Sequence, residues 1–271
     1  MKINVSDDTG FHEELADEIA DLVDSVAPRV AKTTGLSLPP EAIFQLVTPE
    51  EWVRHGIDFV QRTIDRDIAE LNLSGDTVRT LLGHLQASRE TLPHVWVLYP
   101  ATTIPIRGLE DAISLIVPQV WEYAGVLRDS RAKAQVVAHE LAHQMQLAAS
   151  GADPRWLTLA RRQRGIEGLA VVHIWEGHAR WVDQQVTAEL FGRPFDDAEL
   201  TRSRSYSEVE AAAGHAHRFT RDATRDGCAF VRQVVHLAGI EAINRMWKDP
   251  SLLPTLDEIA TPESWVKRVE T

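Results

Sequence analysis

The sequence predicts a mainly α-helical protein with a small β element, and three observations carry that expectation. Apolar residues recur at helical spacing over most of the chain. Helix starts built from a hydroxyl residue, a proline and an acid stand at Thr48-Pro49-Glu50 and Thr261-Pro262-Glu263. Only two short runs, 42–47 and 94–99, read as strands.

In chain order, Leu15, Ile19, Leu22 and Val23 mark a first helix from about Phe11 to Val26, with Pro28 as its break and 35–40 as a loop. The strand candidate 42–47 follows, then a helix from the Thr48 cap to about Leu71. Another runs from Ser74-Gly75-Asp76 to about Arg89. His94 to Tyr99, closed by Pro100, alternates like a strand. From Ser130 onward the chain reads as helix after helix, with breaks near 150–154, 192–194, 214 and 248–250. No repeat or long linker divides the 271 residues, so one helical domain over 1–271 is expected, with 1–126 as a candidate subdomain.

The 40 acidic and 28 basic residues give a formal charge of −12, and no basic cluster stands out. Nucleic acid is therefore not an expected partner. No apolar run reaches the length of a membrane span, so no membrane partner is expected either. A single cysteine, Cys228, fits a reducing compartment, and the N-terminus lacks a basic head with an apolar run behind it. These features point to the cytoplasm.

The chemistry lies in Ala138-His139-Glu140-Leu141-Ala142-His143-Gln144, an HExxH pattern within a strongly helix-forming stretch. Histidines at i and i+4 project from one helix face, so both imidazoles reach one tetrahedral metal. Glu140 points away from that axis, where it can take a proton from a water on the metal's open side. A hydrolytic zinc site needs a third protein ligand. Ala149 occupies the place where a third histidine would follow the motif in one class, so the ligand must come from elsewhere. The run 169–183 is apolar nearly all round, as a buried helix is, yet carries Glu176 in its middle. A buried carboxylate is costly without a cation, which makes Glu176 the candidate third ligand; His173 is the alternative. Asp183, two turns on, is placed to accept a hydrogen bond from a ligand imidazole or to pair with Arg180. His178 points to the other side as a packing or capping residue. Tyr206, His217 and Arg225 are candidate donors to a developing oxyanion, drawn from a wider set with His215, Arg221 and Tyr123.

This combination resembles the gluzincin-type zincins. It resembles more closely a group of zincin-like metallohydrolases sometimes labelled as associated with deazaflavin coenzyme biosynthesis. The residues carrying the resemblance are the HExxH, Trp156-Leu157, Glu176-Gly177-His178-Ala179 and Asp183, together with Gly227-Cys228-Ala229-Phe230-Val231, Trp247, Pro254 and Trp265. It covers roughly 127–270, and implies a zincin-like helical core with one Zn2+ on His139, His143 and Glu176 and with Glu140 as acid/base. One departure stands out. A tyrosine that such proteins often carry shortly before the equivalent of Gly227 is absent, and Thr224 and Arg225 stand there. The expected activity is zinc-dependent hydrolysis of an amide, as in a metallopeptidase acting on a peptide or small amide. The alternative is a non-catalytic scaffold retaining the core. The intact Glu140 favours the enzyme, because a scaffold needs no general base.

Overall fold

A computed structural model describes residues 1–105 and 112–270, with the side chains of 214–217 left undescribed. Fifteen helices and strands follow one another among the described residues: β1 (Lys2–Asp7), α1 (Glu13–Thr34), β2 (Glu41–Leu46), α2 (Pro49–Glu70), α3 (Gly75–Val95), β3 (Ala101–Pro105), β4 (Ala112–Ile116), α4 (Pro118–Ala124), α5 (Ser130–Ala149), α6 (Val171–Phe191), α7 (Arg204–Ala212), α8 (Gly214–Ala238), α9 (Ile240–Lys248), α10 (Leu256–Ala260) and α11 (Pro262–Glu270). The expected mainly helical class is observed, and no described helix is long and apolar enough to cross a membrane.

The β element is larger than expected. Four strands lie in the order β1-β2-β4-β3; the first three are parallel and β3 runs antiparallel along one edge. The expected strand 42–47 is β2, whereas 94–99 is not a strand. His94 and Val95 end α3, and Trp96–Leu98 form a single 3-10 turn. Val97 and Leu98 are buried in the main core, and a short apolar run of this kind looks the same in a sequence whether it forms a strand or a buried turn. The edge strand itself begins just past Pro100. Pro28 does not break α1 either: it is exposed, as is Asp24 one turn back, so the carbonyl it leaves unpaired meets water. The Thr48 cap is a full capping box, in which Thr48 Oγ1 accepts from Glu51 N and Glu51 Oε2 accepts from Thr48 N.

The strands and helices meet at α5. Gln144, buried in α5, donates to the Ile43 carbonyl (2.8 Å) and to Ser114 Oγ (2.8 Å) and accepts from Ile43 N (3.2 Å). It thereby satisfies backbone and side-chain groups on β2 and β4 that burial would otherwise leave unpaired. On its other sides α5 packs against α1 and α6, and α6 in turn packs most extensively on α8. A long cluster of buried apolar residues, from Ala16 in α1 to Val269 in α11, runs through these contacts. The loop before α6 is tied to α2 by Asp67, fully buried. It accepts from Thr158 Oγ1, from the Leu159 and Ala160 amides, and from Arg164 through two nitrogens.

Candidate metal centre

Helix α5 starts on Asp129, whose carboxylate accepts from the amides of Arg131 (2.8 Å) and Ala132 (3.3 Å). Alanine at 132, 134, 138 and 142 lets neighbouring elements close around this helix. His139 and His143 project one turn apart, and Glu176 reaches them from α6. One ligand atom from each of the three lies within 4.8 Å of the others. The Nε2 atoms of the two histidines are 3.1 Å apart, and Glu176 Oε2 is 3.5 Å from His139 Nε2 and 3.8 Å from His143 Nε2. Donors about 2 Å from a tetrahedral Zn2+ stand roughly 3.3 Å apart, so these separations suit one such ion.

The outer ring nitrogens support the same reading. His139 Nδ1 bonds Asp183 Oδ2 at 3.0 Å and His143 Nδ1 bonds Gln146 Oε1 at 2.8 Å. Each partner fixes the far nitrogen as N–H and leaves an Nε2 lone pair aimed at the common point. Asp183 has no exposure and also receives Arg180 Nη1 at 3.3 Å, so both of its expected partners are present at once. Arg180 continues to Asp197 at 3.2 Å. Gln146 also donates to the Trp175 carbonyl (3.1 Å) and bonds His178 Nδ1 (2.9 Å). His178 is therefore a packing residue with a further task, holding the glutamine that holds His143.

Charge follows geometry. Burial works against a charged His139, yet its bonds to Asp183 and Glu176 push its pKa up to about 10. Burial also acts to raise Glu176, but the two histidines bring it below the ordinary carboxylate range. His143 is lowered by burial and by the neighbouring His139, and His178, fully enclosed, falls to about 3. Two imidazoles and a carboxylate converging on one point are a donor set suited to a divalent cation.

These groups open into a cavity of about 690 Å³. Glu140 lines it, and its Oε2 accepts from Thr103 Oγ1 at 2.6 Å; Thr103 Oγ1 in turn lies 2.7 Å from Ser114 Oγ. Edge strand β3 thus forms one wall and steadies the candidate base. Trp175 of α6 lines the cavity and stacks on His143 with ring centres 5.0 Å apart. Of the candidate oxyanion donors, Tyr206, Arg221 and Arg225 line the cavity, Tyr123 does not, and His217 and His215 lie outside the described residues. His173 packs against Phe219 and is not among the clustered ligand atoms. Sequence reasoning missed Tyr99, which lines the cavity beside Trp52, with ring centres 5.2 Å apart. Burial and the charge of Glu176 both raise its phenol pKa.

Comparison with known proteins agrees with this class of site. Residues 169–266, from the start of the Glu176 helix to α11, match a family described as zincin-like metallopeptidases. Across nearly the whole chain the fold is similar to a crystal structure described as "a putative hydrolase with a novel fold" from Chloroflexus aurantiacus. That match has a TM-score of 0.61 and 18% identity, and covers 94% of this chain and 89% of that one. No curated protein matches. The expected zincin resemblance is borne out, and nothing in these matches bears on a deazaflavin coenzyme.

Proposed function

We propose that this protein is a zinc-dependent hydrolase of amide bonds, most simply a metallopeptidase. The observation that carries the reading is the convergence of His139, His143 and Glu176 in a cavity that Glu140 also lines. A Zn2+ held by those three residues would act as a Lewis acid on a substrate carbonyl and would acidify a water.

The chain's own residues handle the protons and the charge. Glu140 accepts a proton from the attacking water and returns it to the leaving nitrogen, held in place by its bond from Thr103. Asp183 and Gln146 keep the two imidazoles turned toward the ion. Tyr99, which lines the same cavity as Glu140 and is neutral at pH 7 as any ordinary phenol is, donates its O–H to the carbonyl oxygen as charge develops there. Tyr99 is preferred to Tyr206 for this task because it lies just before β3, four residues from Thr103, whose hydroxyl reaches Glu140, whereas Tyr206 is on α7. Tyr99 takes over the work of the tyrosine missing before Gly227.

Zinc content and cleavage of a broad peptide library test the reading in wild type and Glu140→Gln. Zinc bound by both, with cleavage lost in the variant, supports it. Zinc bound by both with no cleavage by either supports the scaffold alternative.

A further inference from the structure

Gln144 continues the β-sheet with a side chain. The register between β2 and β4 begins at Phe44 and Ser114. One residue earlier, the Gln144 amide donates to the Ile43 carbonyl at 2.8 Å and accepts from the Ile43 N–H at 3.2 Å. Two bonds of opposite sense to one residue leave that amide a single orientation, because turned over it would set oxygen against oxygen and N–H against N–H. Its second hydrogen goes to Ser114 Oγ at 2.8 Å.

The orientation is passed on. Ser114 is fully buried on β4, and among the described residues its hydroxyl has two partners, Gln144 Nε2 and Thr103 Oγ1. A hydroxyl carries one hydrogen, and an amide nitrogen only donates. The Ser114 hydrogen therefore points at Thr103 Oγ1, 2.7 Å away, which turns the Thr103 hydrogen to Glu140. There Oε2 accepts it at 2.6 Å, with the Glu140 carbonyl farther off at 3.3 Å. Every hydrogen in this chain points from the sheet toward the candidate base, and donors aligned head to tail strengthen one another. Thr103 is half-buried on an edge strand that lines the cavity. Without the bond from Ser114 its hydroxyl is free to turn to water.

We propose that Ser114 is a positioning residue for the general base. Acting through Thr103, it commits Oε2 of Glu140 to the sheet and leaves Oε1 to face the water. The proposal rests on the hydrolase reading and adds to it a residue that lies outside the cavity lining. A serine that merely filled space would act on stability and leave the Thr103 hydrogen alone.

The test follows that hydrogen and the rate separately. In zinc-loaded, threonine-labelled protein, NMR correlates each slowly exchanging hydroxyl hydrogen with its own Cβ, and Thr103→Val assigns the signal by removing it. The expected result is a protected Thr103 hydrogen in wild type that exchanges with water about tenfold faster in Ser114→Ala. In Ser88→Ala, which removes an exposed hydroxyl of α3 bonded to the His84 carbonyl, its exchange is unchanged. On a peptide that wild type cleaves, Ser114→Ala lowers kcat about threefold with KM and zinc content unchanged. In the Thr103→Val background the same substitution has no further effect on kcat, because Ser114 acts only through the hydroxyl already removed. Unaltered exchange in Ser114→Ala, or losses in kcat that multiply across the two substitutions, overturns the proposal. Cleavage by wild type separates the two ideas. Faster exchange in Ser114→Ala with no cleavage by any of these proteins keeps the relay and sinks the hydrolase, whereas cleavage with unaltered exchange does the reverse.

Discussion

Gly177 of α6 and Gly227 of α8 meet backbone to backbone, and neither can accept a side chain. A Cβ on Gly227 would overlap the carbonyl of His173, and one on Gly177 would overlap the backbone of Gly227 and Cys228. The contact sets the spacing of the two helices, both of which line the cavity, α6 with Glu176 and α8 with Cys228. Gly227→Ala is expected to cost about 2–4 kcal/mol in urea unfolding and to weaken zinc binding by prising α6, which carries Glu176, from α8 and so shifting Glu176 relative to the histidines of α5. Gly83→Ala is the control, because a Cβ there meets nothing within 4 Å in an exposed stretch of α3. It is expected to stabilise by about 0.5–1 kcal/mol. Equal losses from both would contradict the account.

Asp183 serves His139 and Arg180 together. In Asp183→Asn the amide oxygen still receives a ring N–H, but the charge that makes the imidazole a strong donor is gone. Zinc affinity, read by competition with a chelator, is expected to fall about 10- to 100-fold. Asp183→Ala should unfold more readily as well, because it removes one of the two carboxylates that face the largely buried Arg180 and leaves Asp197 alone with it. Unchanged affinity in the asparagine variant would remove Asp183 from the centre.

Thr103 and Tyr99 lie on the strand side of the cavity and act on protons rather than on the metal. Thr103→Val keeps the shape but removes the 2.6 Å bond to Glu140; kcat is expected to drop roughly tenfold with zinc content intact. Tyr99→Phe is expected to lower kcat by about 100-fold with little change in KM, and Tyr206→Phe to leave kcat nearly as it is. The opposite ranking of the two tyrosines would reassign the donor.

Asp129 caps the helix that carries both histidines. Its carboxyl is held below the ordinary range by its bond to Arg131 and by the amides at the helix start, with burial opposing. A carboxylate with a depressed folded pKa adds stability above its unfolded pKa, and that stability is lost as pH falls through the folded value. Asp129→Ala should therefore cost about 1 kcal/mol at neutral pH. The difference in Tm from wild type should narrow below about pH 4. A gap constant from pH 7 to pH 3 would show that the charge contributes nothing.

Much of the centre was legible because helical spacing is a rigid ruler. Two histidines four apart, and an acid in a helix otherwise apolar, are statements about faces that any α-helix must honour. The same ruler placed Asp183 near the histidines. It could not place Thr103, because β3 is set by its pairing with β4, and the bond from Thr103 to Glu140 joins residues 37 apart that no local pattern connects. The run 94–99 was misread for a related reason: its burial comes from elements that arrive later in the chain, and alternation alone does not tell a strand from a buried turn.

The central claim is that a single ion is bound by residues from two neighbouring helices. Anomalous diffraction collected on both sides of the zinc absorption edge, from crystals of protein purified with Zn2+, tests it most directly. The account predicts one peak, about 2.0–2.2 Å from His139 Nε2, His143 Nε2 and a Glu176 oxygen together. A protein with no peak there, or with zinc on the histidines while Glu176 turns away, would contradict it.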